Sequence, residues 1–425
     1  MGNKDSSLGK SSRRLSPTDA KSLALRLGVK SESEILSKEK TFEALSWNGS
    51  DSTIPELVWR VVTNGANTAR FSSLLEFIDG TVCQDVNSAA HYAHNFLSQP
   101  LVENARTFCL NLLKVFHSHH SPARDTWLKQ GVREGSSDEA LSVQLSQSLK
   151  SLLETNPEES KEEIYCKWLQ RERLLYAIQT DVLCHLFNQT LPSDIIPQLT
   201  SSLKLKPTPT ILELAEIMFI NHSLPHDMQS EWALLFSTRQ HGLSFTSLLS
   251  KIINKGPTVI VVEDTEHHVF GGFASEGWRV GPKFIGDIKC FLFKLRPEIS
   301  VHTATNYNDH HMYLNVQQQT MPNGLGMGGQ LENFGIWIDA DFGKGHTCAG
   351  CSTYQRVPTL ASGKEFSIEH IEVWAVGPPP KEDSDEEVGG KRSILDKDSG
   401  AKAILEMIDR GHHSEGIREV PDEDY

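Results

Sequence analysis

Two cysteines in the C-terminal half have the spacing of a redox or metal-binding pair. Cys348 and Cys351 form a Cys-x-x-Cys motif, which in a thioredoxin-like site lies at a helix N-terminus, where the helix dipole lowers the pKa of one thiol. The residues around this pair are typical of turn and strand instead. With His346 the pair would offer three zinc ligands, and the sequence identifies no fourth. We therefore predict no catalytic centre here, with thiol-based antioxidant activity as the alternative.

Two further patterns favour structure over chemistry. Asp339 and Asp341 lie two residues apart on one side of an extended segment, where paired carboxylates could exchange protons. No nucleophile or base stands beside them in sequence, so we favour a turn-stabilising role. The glycine-rich loop at 325–330 lacks the helix and lysine of a phosphate cradle. The sequence therefore predicts a protein that is not an enzyme and binds no nucleotide cofactor.

Two segments of the N-terminal half contain residues that could bind a metal. His117, His119 and His120 form a histidine run, but no second cluster has zinc-finger spacing, and a solvated helix end is the preferred interpretation. The segment IDGTVCQDVNSA places Gly80 second and supplies too few carboxylates for a calcium loop, which needs glycine sixth and a bidentate glutamate twelfth. We predict no bound metal.

Composition excludes several classes of protein. The net charge is −14 over 425 residues, so no overall positive field favours nucleic acid as a partner. Seven cysteines are scattered without a disulfide framework, which indicates a reducing compartment. No apolar window reaches the roughly 20 residues that span a bilayer, and the N-terminus lacks the apolar core of a signal peptide. We expect a cytoplasmic protein.

The N-terminus predicts a membrane anchor. The residues MGNKDS fit the pattern for myristoylation of Gly2 after removal of Met1. One acyl chain binds membranes only marginally, so a second signal is needed. Four basic residues against one acid, Asp5, supply attraction to an anionic membrane surface. These basic residues are Lys4, Lys10, Arg13 and Arg14.

The sequence of residues 16–221 predicts successive helices. Ser16 caps a first helix that starts at Pro17 and ends at Gly28. Short helices follow between residues 40 and 120, and this series resembles EF-hand modules without calcium ligands. After the polar segment REGSSDE the spacing of apolar residues predicts one helix of about thirty residues. It would bury Ile164, Trp168, Leu175, Ile178, Val182 and Leu186.

Short apolar strands separated by turns fill residues 257–377. The run 259–262 is apolar on both faces, as in the middle of a sandwich. Further strands are predicted at 269–274, 290–295, 312–316, 334–339 and 366–376, after a helix at 244–254. We predict a two-sheet antiparallel β-sandwich, and therefore an α+β protein. Glycines are expected to allow close backbone approach at Gly271 and Gly272, and to form a loop with positive φ at Gly324, Gly326, Gly328 and Gly329.

These segments resemble the TLDc domain family over about residues 210–377. The resemblance rests on their order: GPTVIVVEDTEHHVFGGFASEGWRV, then NYNDHHMYLNV, then GLGMGGQLENFGIWIDADFGKGHTCAGCSTYQ, and finally EFSIEHIEVWAVG. The family is associated with oxidation resistance and with binding of the vacuolar-type proton pump. The predicted organisation is a basic N-terminus (1–15), an EF-hand-like domain (16–135), a second helical region (136–209), the TLDc-like domain (210–377), an acidic linker (378–392) and a C-terminal helix and tail (393–425).

The C-terminal segment predicts one short amphipathic helix. Ile404, Leu405 and Ile408 share one face, and such a helix would be marginally stable alone. It either packs on its own domain or enters a groove of a partner.

This arrangement resembles the lysosomal, mTOR-associated branch of the TLDc family. The resemblance implies a non-catalytic adaptor on the cytoplasmic face of the lysosomal membrane. It also implies two partners, the vacuolar-type proton pump and the mTOR complex.

Overall fold

The computed structural model describes residues 14–47, 52–98, 101–119, 121–189, 194–200, 209–330 and 333–378. The chain divides into two compact units. The helical unit contains the described residues of 1–128, 133–196 and 213–222. The β unit contains the described residues of 129–132, 197–212 and 223–425.

The N-terminal half is built from helices of two to five turns and one short β-ladder. The helices are α1 (Pro17–Leu27), α2 (Lys38–Ala44), α3 (Thr53–Val62), α4 (Phe71–Ile78), α5 (Val86–Ala93), α6 (Leu101–Ser118), α7 (Pro122–Lys129), α8 (Asp138–Thr155), α9 (Lys161–Arg171), α10 (Arg173–Leu186) and α11 (Leu214–Ser223). A π-helical turn, Asp79–Cys83, follows α4, and a 3-10 turn, His94–Phe96, follows α5.

Helix α1 begins and ends as predicted. The Ser16 hydroxyl accepts a hydrogen bond from the Asp19 amide, and Pro17 occupies the first helical position. Gly28 adopts left-handed geometry with φ 69° after the last turn, which glycine does without steric penalty. The cap contributes about 1 kcal/mol.

Two helix–loop–helix segments, α1 with α2 and α3 with α4, are joined through their loops. The loop strands β1 (Ile35–Ser37) and β2 (Thr68–Arg70) pair antiparallel, with Leu36 opposite Ala69. Likeness to EF-hand modules stays a prediction. Gly80, the glycine of the IDGTVCQDVNSA segment, lies within the π-helical turn, so this segment does not form an EF-hand loop.

The prediction of one continuous helix of about thirty residues is wrong. The segment forms two helices, α9 and α10, separated at Glu172, whose backbone leaves the helical region at φ −97° and ψ 73°. The capping box of Ser160 and Glu163 fixes the start of α9. The predicted inward residues are buried across both helices, and the Trp168 indole donates to the Leu145 carbonyl of α8 at 2.8 Å.

The β unit adds two helices and twelve strands. Its helices are α12 (Thr238–His241) and α13 (Phe245–Ile252), and a 3-10 turn spans His226–Met228. Its strands are β3 (Gln198–Leu199), β4 (Glu231–Ser237), β5 (Thr258–Asp264), β6 (Val269–Ala274), β7 (Gly281–Ile285), β8 (Phe291–Arg296), β9 (Ser300–Thr303), β10 (Met312–Asn315), β11 (Gly324–Met327), β12 (Ile336–Asp339), β13 (Lys344–His346) and β14 (Glu365–Val376).

The long strand β14 connects the two halves of this sheet system. The strand order is β7-β10-β11-β12-β13-β14-β5-β6-β8-β9, with β4 paired to β14 and β3 parallel to β4. The first residues of β14 pair with β13 and its later residues with β4, while β5 occupies the other edge. The strands therefore form one hydrogen-bonded path that folds over at β14.

The two halves enclose one apolar core. Phe270 and Ile260 of the β5–β6 side pack in the same cluster as Leu314 and Ile338 of the β10–β12 side. Helix α13 adds Leu248, Leu249 and Ile252 to this core, and Ser244 caps it as predicted. The predicted α+β class is confirmed.

The glycine prediction is right at two positions of the 324–329 segment and wrong at two. Gly328 and Gly329 have φ of 72° and 76°. Gly324 and Gly326 lie within strand β11 instead of a loop. A Cβ at Gly324 would approach the Trp337 ring to 2.5 Å. These two glycines therefore make room for an indole on the sheet surface.

Candidate functional site

The cysteine pair lacks the features that activate a thiol. Cys351 is buried, and burial raises the pKa of its thiol, while amide hydrogen bonds from Tyr354 and Thr353 oppose this less strongly. Cys348 is partly exposed, and both cysteines are free. Residues 347–352 contain no helix, so no helix dipole stabilises a thiolate.

The two aspartates do not form a carboxylate pair. The Asp339 carboxylate accepts a hydrogen bond from the Trp337 indole at 2.5 Å, and its carbonyl closes the turn by accepting from the Phe342 amide at 2.8 Å. Asp341 is exposed. The turn-stabilising interpretation therefore fits Asp339.

The interpretation of the histidine run as a solvated helix end is wrong for His119, which is buried. His117 Nε2 lies 2.9 Å from Asp138, whereas the His119 ring stacks on His185 at 3.5 Å between centroids. His120 lies outside the described residues. Within the described part of the chain, histidine, cysteine and carboxylate side chains nowhere assemble in groups of three or more suited to a metal ion.

The described chain begins at the predicted membrane segment, and a buried carboxylate fastens it there. Asp79 Oδ1 accepts hydrogen bonds from the amides of Arg14 and Leu15, each at 2.7 Å. Gln84 donates to the other oxygen of Asp79 at 2.7 Å. The Arg14 residue is exposed. Asp79 thus fixes the backbone of Arg14 and Leu15, with which the described part of the chain begins.

Most residues predicted to contact a membrane or partner lie outside the described part of the chain. They are Gly2, Lys4, Lys10 and Arg13 at the N-terminus, and Ile404, Leu405 and Ile408 near the C-terminus. Among the described helices, none combines the length and the apolar character that crossing a membrane requires.

A buried carboxyl on β14 forms a site that the sequence analysis did not identify. Glu372 is 2 % exposed. Its Oε2 accepts from the Thr210 hydroxyl at 2.5 Å and the Trp374 indole at 3.3 Å, and its Oε1 accepts from the Ile211 amide at 3.2 Å. Burial raises the pKa of Glu372 to about 7, although these three donors and Arg239 oppose the shift.

Two arginines extend this site along the same segment of backbone. Arg239 of α12 donates to the Pro209 carbonyl at 2.7 Å, and Arg296 at the end of β8 donates to the Ile211 carbonyl at 2.9 Å. Residues 209–211 are therefore held by side chains from three separate elements. A signal was present in the sequence: Glu372 lies between the apolar residues Ile371 and Val373 in a predicted strand.

Most of the β unit lies within a segment that matches a known domain family. Residues 205–377 match the TLDc domain.

Several vertebrate proteins are similar to this chain. It is 51% identical over 217 residues to the MTOR-associated protein MEAK7 of Homo sapiens, an alignment that covers 51% of this chain and 47% of that protein. The MEAK7 of Gallus gallus is 50% identical over 218 residues, covering 51% and 46%. Oxidation resistance protein 1 of Bos taurus is 30% identical over 162 residues, covering 37% and 17%. The chain spans about half the length of the MEAK7 proteins it matches.

Proposed function

We propose that this chain is a non-catalytic adaptor that supports mTOR signalling from the cytoplasmic face of the lysosomal membrane. The observation that carries this proposal is the identity of about 50% to MTOR-associated proteins over half of the chain. The vacuolar-type proton pump is the second proposed partner, because the TLDc resemblance implies it.

A binding role fits the chemistry of the described side chains. The Cys351 thiol is buried with a raised pKa, and Asp339 is engaged by an indole. Catalysis would require a nucleophile and a base within hydrogen-bond reach, together with donors for developing charge. The cysteine, aspartate and histidine groups considered above do not provide that combination.

Anchoring would come from the predicted basic, myristoylated N-terminus, residues 1–15. Myristoylation of Gly2 gives membrane binding with an association constant of about 10⁴ M⁻¹. Each basic residue near an anionic leaflet adds about 1 kcal/mol. Together these signals would confine the TLDc domain to a membrane surface and raise its effective concentration near membrane-bound partners.

Lysosome capture tests the proposal. The full chain and its Gly2→Ala variant are expressed with a C-terminal tag at equal levels, and lysosomes are isolated from each cell line. The wild-type chain is expected in the lysosomal fraction, and capture through the tag is expected to recover mTOR and pump subunits. The variant is expected in the cytosol, with its fold unchanged by circular dichroism.

Three outcomes would contradict parts of this proposal. Unchanged membrane fractionation of Gly2→Ala would remove the acyl anchor. Capture from lysosomes without mTOR would remove the signalling role, and capture without pump subunits would remove the second partner. A parallel capture with residues 393–425 deleted tests whether the predicted C-terminal helix contributes to partner binding.

A further inference from the structure

The described chain ends beside a group of exposed cations. Val376, the last residue of β14, donates its amide hydrogen bond to the Pro257 carbonyl at 3.2 Å. Lys255 lies two residues before Pro257 and is exposed. The chain leaves β14 at Gly377 and Pro378, so the residues that follow start close to Lys255.

Arg279 and Lys283 extend this group of cations, and both are exposed. Ile253 and Trp278 form a parallel bridge, so the segments that follow them carry Lys255 and Arg279 next to each other. Lys283 lies four residues beyond Arg279 on β7, which is an edge strand of the sheet. Together Lys255, Arg279 and Lys283 form a cationic edge of the β unit.

Acidic side chains of the β unit neutralise this edge only in part. Glu276 binds Arg279 at 2.9 Å, with the two side chains 41 % and 63 % exposed, and an exposed ion pair of this kind is weak. Within the described part of the chain, the side chains of Lys255 and Lys283 form no ion pair. The cationic edge therefore has positive charge available for an acidic ligand.

The acidic segment 382–387 begins a few residues beyond the described chain and has the opposite charge. Its sequence, EDSDEE, contains five carboxylates and no basic residue. Glu382 lies four residues beyond Pro378 and Glu387 lies nine residues beyond it. Since an extended chain spans at most about 3.5 Å per residue, the segment can reach about 14 Å at its first residue and about 32 Å at its last. Lys255 and the adjoining cations are within that reach.

The charges on the opposite side of the exit point favour the same direction. Strands β4 and β5 pair with opposite edges of β14. On the β4 side, the Gly377 amide donates to the Glu231 carbonyl at 2.9 Å, and a Cβ at Gly377 would lie 3.3 Å from the Asp227 carbonyl oxygen. The carboxylates of Asp227 and Glu231 repel an acidic segment, whereas Lys255 on the β5 side attracts it.

We propose that the acidic segment 382–387 binds the cationic edge of the same chain, so that residues 393–425 continue from the β7 side of the β unit. Each exposed ion pair contributes little alone, but the short covalent connection gives the segment an effective concentration of millimolar order. Salt weakens this binding, because the Debye length falls from about 10 Å at 0.1 M to about 3 Å at 1 M. The inference does not depend on the proposed lysosomal role.

Backbone amide resonances of the full chain test the proposal. The acidic segment is neutralised by five substitutions: E382Q, D383N, D385N, E386Q and E387Q. At about 0.01 M salt the amide resonances of Lys255, Arg279 and Lys283 are expected to differ between the wild-type chain and this variant, and at about 1 M salt they are expected to coincide. The Lys364 amide, next to the opposite end of β14, is the internal reference.

A matched variant neutralises acids elsewhere in the tail. The substitutions D422N, E423Q and D424N are expected to leave the three resonances of the cationic edge at their wild-type positions. Resonances that do not respond to neutralisation of 382–387 would overturn the proposal, and so would equal changes in the matched variant.

Two other occupants of the cationic edge give different results. Resonances that respond to phosphatidylserine vesicles but not to neutralisation of 382–387 would assign the edge to an anionic membrane and overturn the proposal. Carbodiimide cross-linking in a mixture of isotopically light and heavy chains tests a second copy. Links from Lys255 or Lys283 to 382–387 are expected within one copy, and links found only between light and heavy chains would contradict binding within the chain.

Discussion

The hydroxyl of Thr210 donates a 2.5 Å hydrogen bond to the carboxyl of Glu372, which lies 162 residues further along the chain. Thr210 is near the start of the TLDc match and Glu372 is in its last strand. This bond therefore ties the first residues of the domain to β14, the strand that connects both halves of the sandwich. The stability of the domain therefore depends in part on a titratable group.

Replacing Glu372 with Gln is expected to flatten the pH dependence of stability in the β unit. With a pKa of about 7 when folded and about 4.3 when unfolded, the folded state holds the extra proton between these values. The wild-type free energy of unfolding should therefore fall as the pH rises through this window, by about 4 kcal/mol in total.

Urea unfolding at about pH 5.5, 6.5 and 7.5 measures this difference. Exchange of the buried β5 amides reports on the β unit separately from the helical unit. A wild-type midpoint that rises with pH in this window, or a variant with the wild-type slope, would show that the burial cost of Glu372 does not control stability.

Gly271→Ala is expected to destabilise the domain strongly. A Cβ at Gly271 would lie 1.9 Å from the Ile260 carbonyl oxygen and 2.7 Å from the Phe293 ring. The first contact is with backbone of the paired strand β5, which cannot move without breaking its ladder. Overpacking of this kind lowers the free energy of unfolding by about 1–3 kcal/mol or more. The loss is measured as a lower urea midpoint.

Gly343→Ala is the matched control for that substitution. No atom lies within 4 Å of the position its Cβ would occupy, and its φ is outside the left-handed region. Its free energy of unfolding is expected to stay within about 0.5 kcal/mol of the wild-type value. Equal losses at Gly271 and Gly343 would contradict the close-packing explanation for Gly271.

Asp79→Ala is expected to loosen the start of α1. The change leaves the amides of Arg14 and Leu15 without their acceptor, and an unsatisfied buried donor costs about 1–3 kcal/mol. Exchange protection at Leu15 should fall in Asp79→Ala and be largely kept in Asp79→Asn, whose amide oxygen still accepts. Equal protection in wild type and Asp79→Ala would show that Asp79 does not fasten this segment.

How far the sequence predicted the fold depended on whether a feature was local. The Ser16 cap, Pro17 and Gly28 specified α1 because each acts within one turn. The break at Glu172 was missed because a single residue leaves the helical conformation, so the spacing between Trp168 and Leu175 still resembles one helix. The sequence predicts a loop at Gly324 and Gly326, whereas both lie in a strand. Glycine is needed at these positions because the Trp337 ring of the neighbouring strand leaves no room for a Cβ atom, and the local sequence does not show that contact.

The candidate site was less accessible from the sequence than the fold. Glu372 could be located within a buried strand, but its donors Thr210 and Ile211 lie more than 160 positions away. Neither Arg239 nor Arg296 carries a local pattern that would indicate contact with residues 209–211. Tertiary structure was needed to bring these groups together, whereas the Cys-x-x-Cys spacing was visible at once and proved to include a buried thiol.

The double variant Cys348→Ser, Cys351→Ser tests the antioxidant alternative. The Cys351 thiol is buried and its pKa is raised by that burial, so Cys351 supplies little reactive thiolate near neutral pH. Peroxide consumption by the purified chain is expected to be slow and equal in wild type and the double variant, with Cys166→Ser as a control for a partly exposed cysteine outside the motif. Turnover by the wild-type chain that disappears in the double variant and persists in Cys166→Ser would establish thiol chemistry and refute the non-catalytic role.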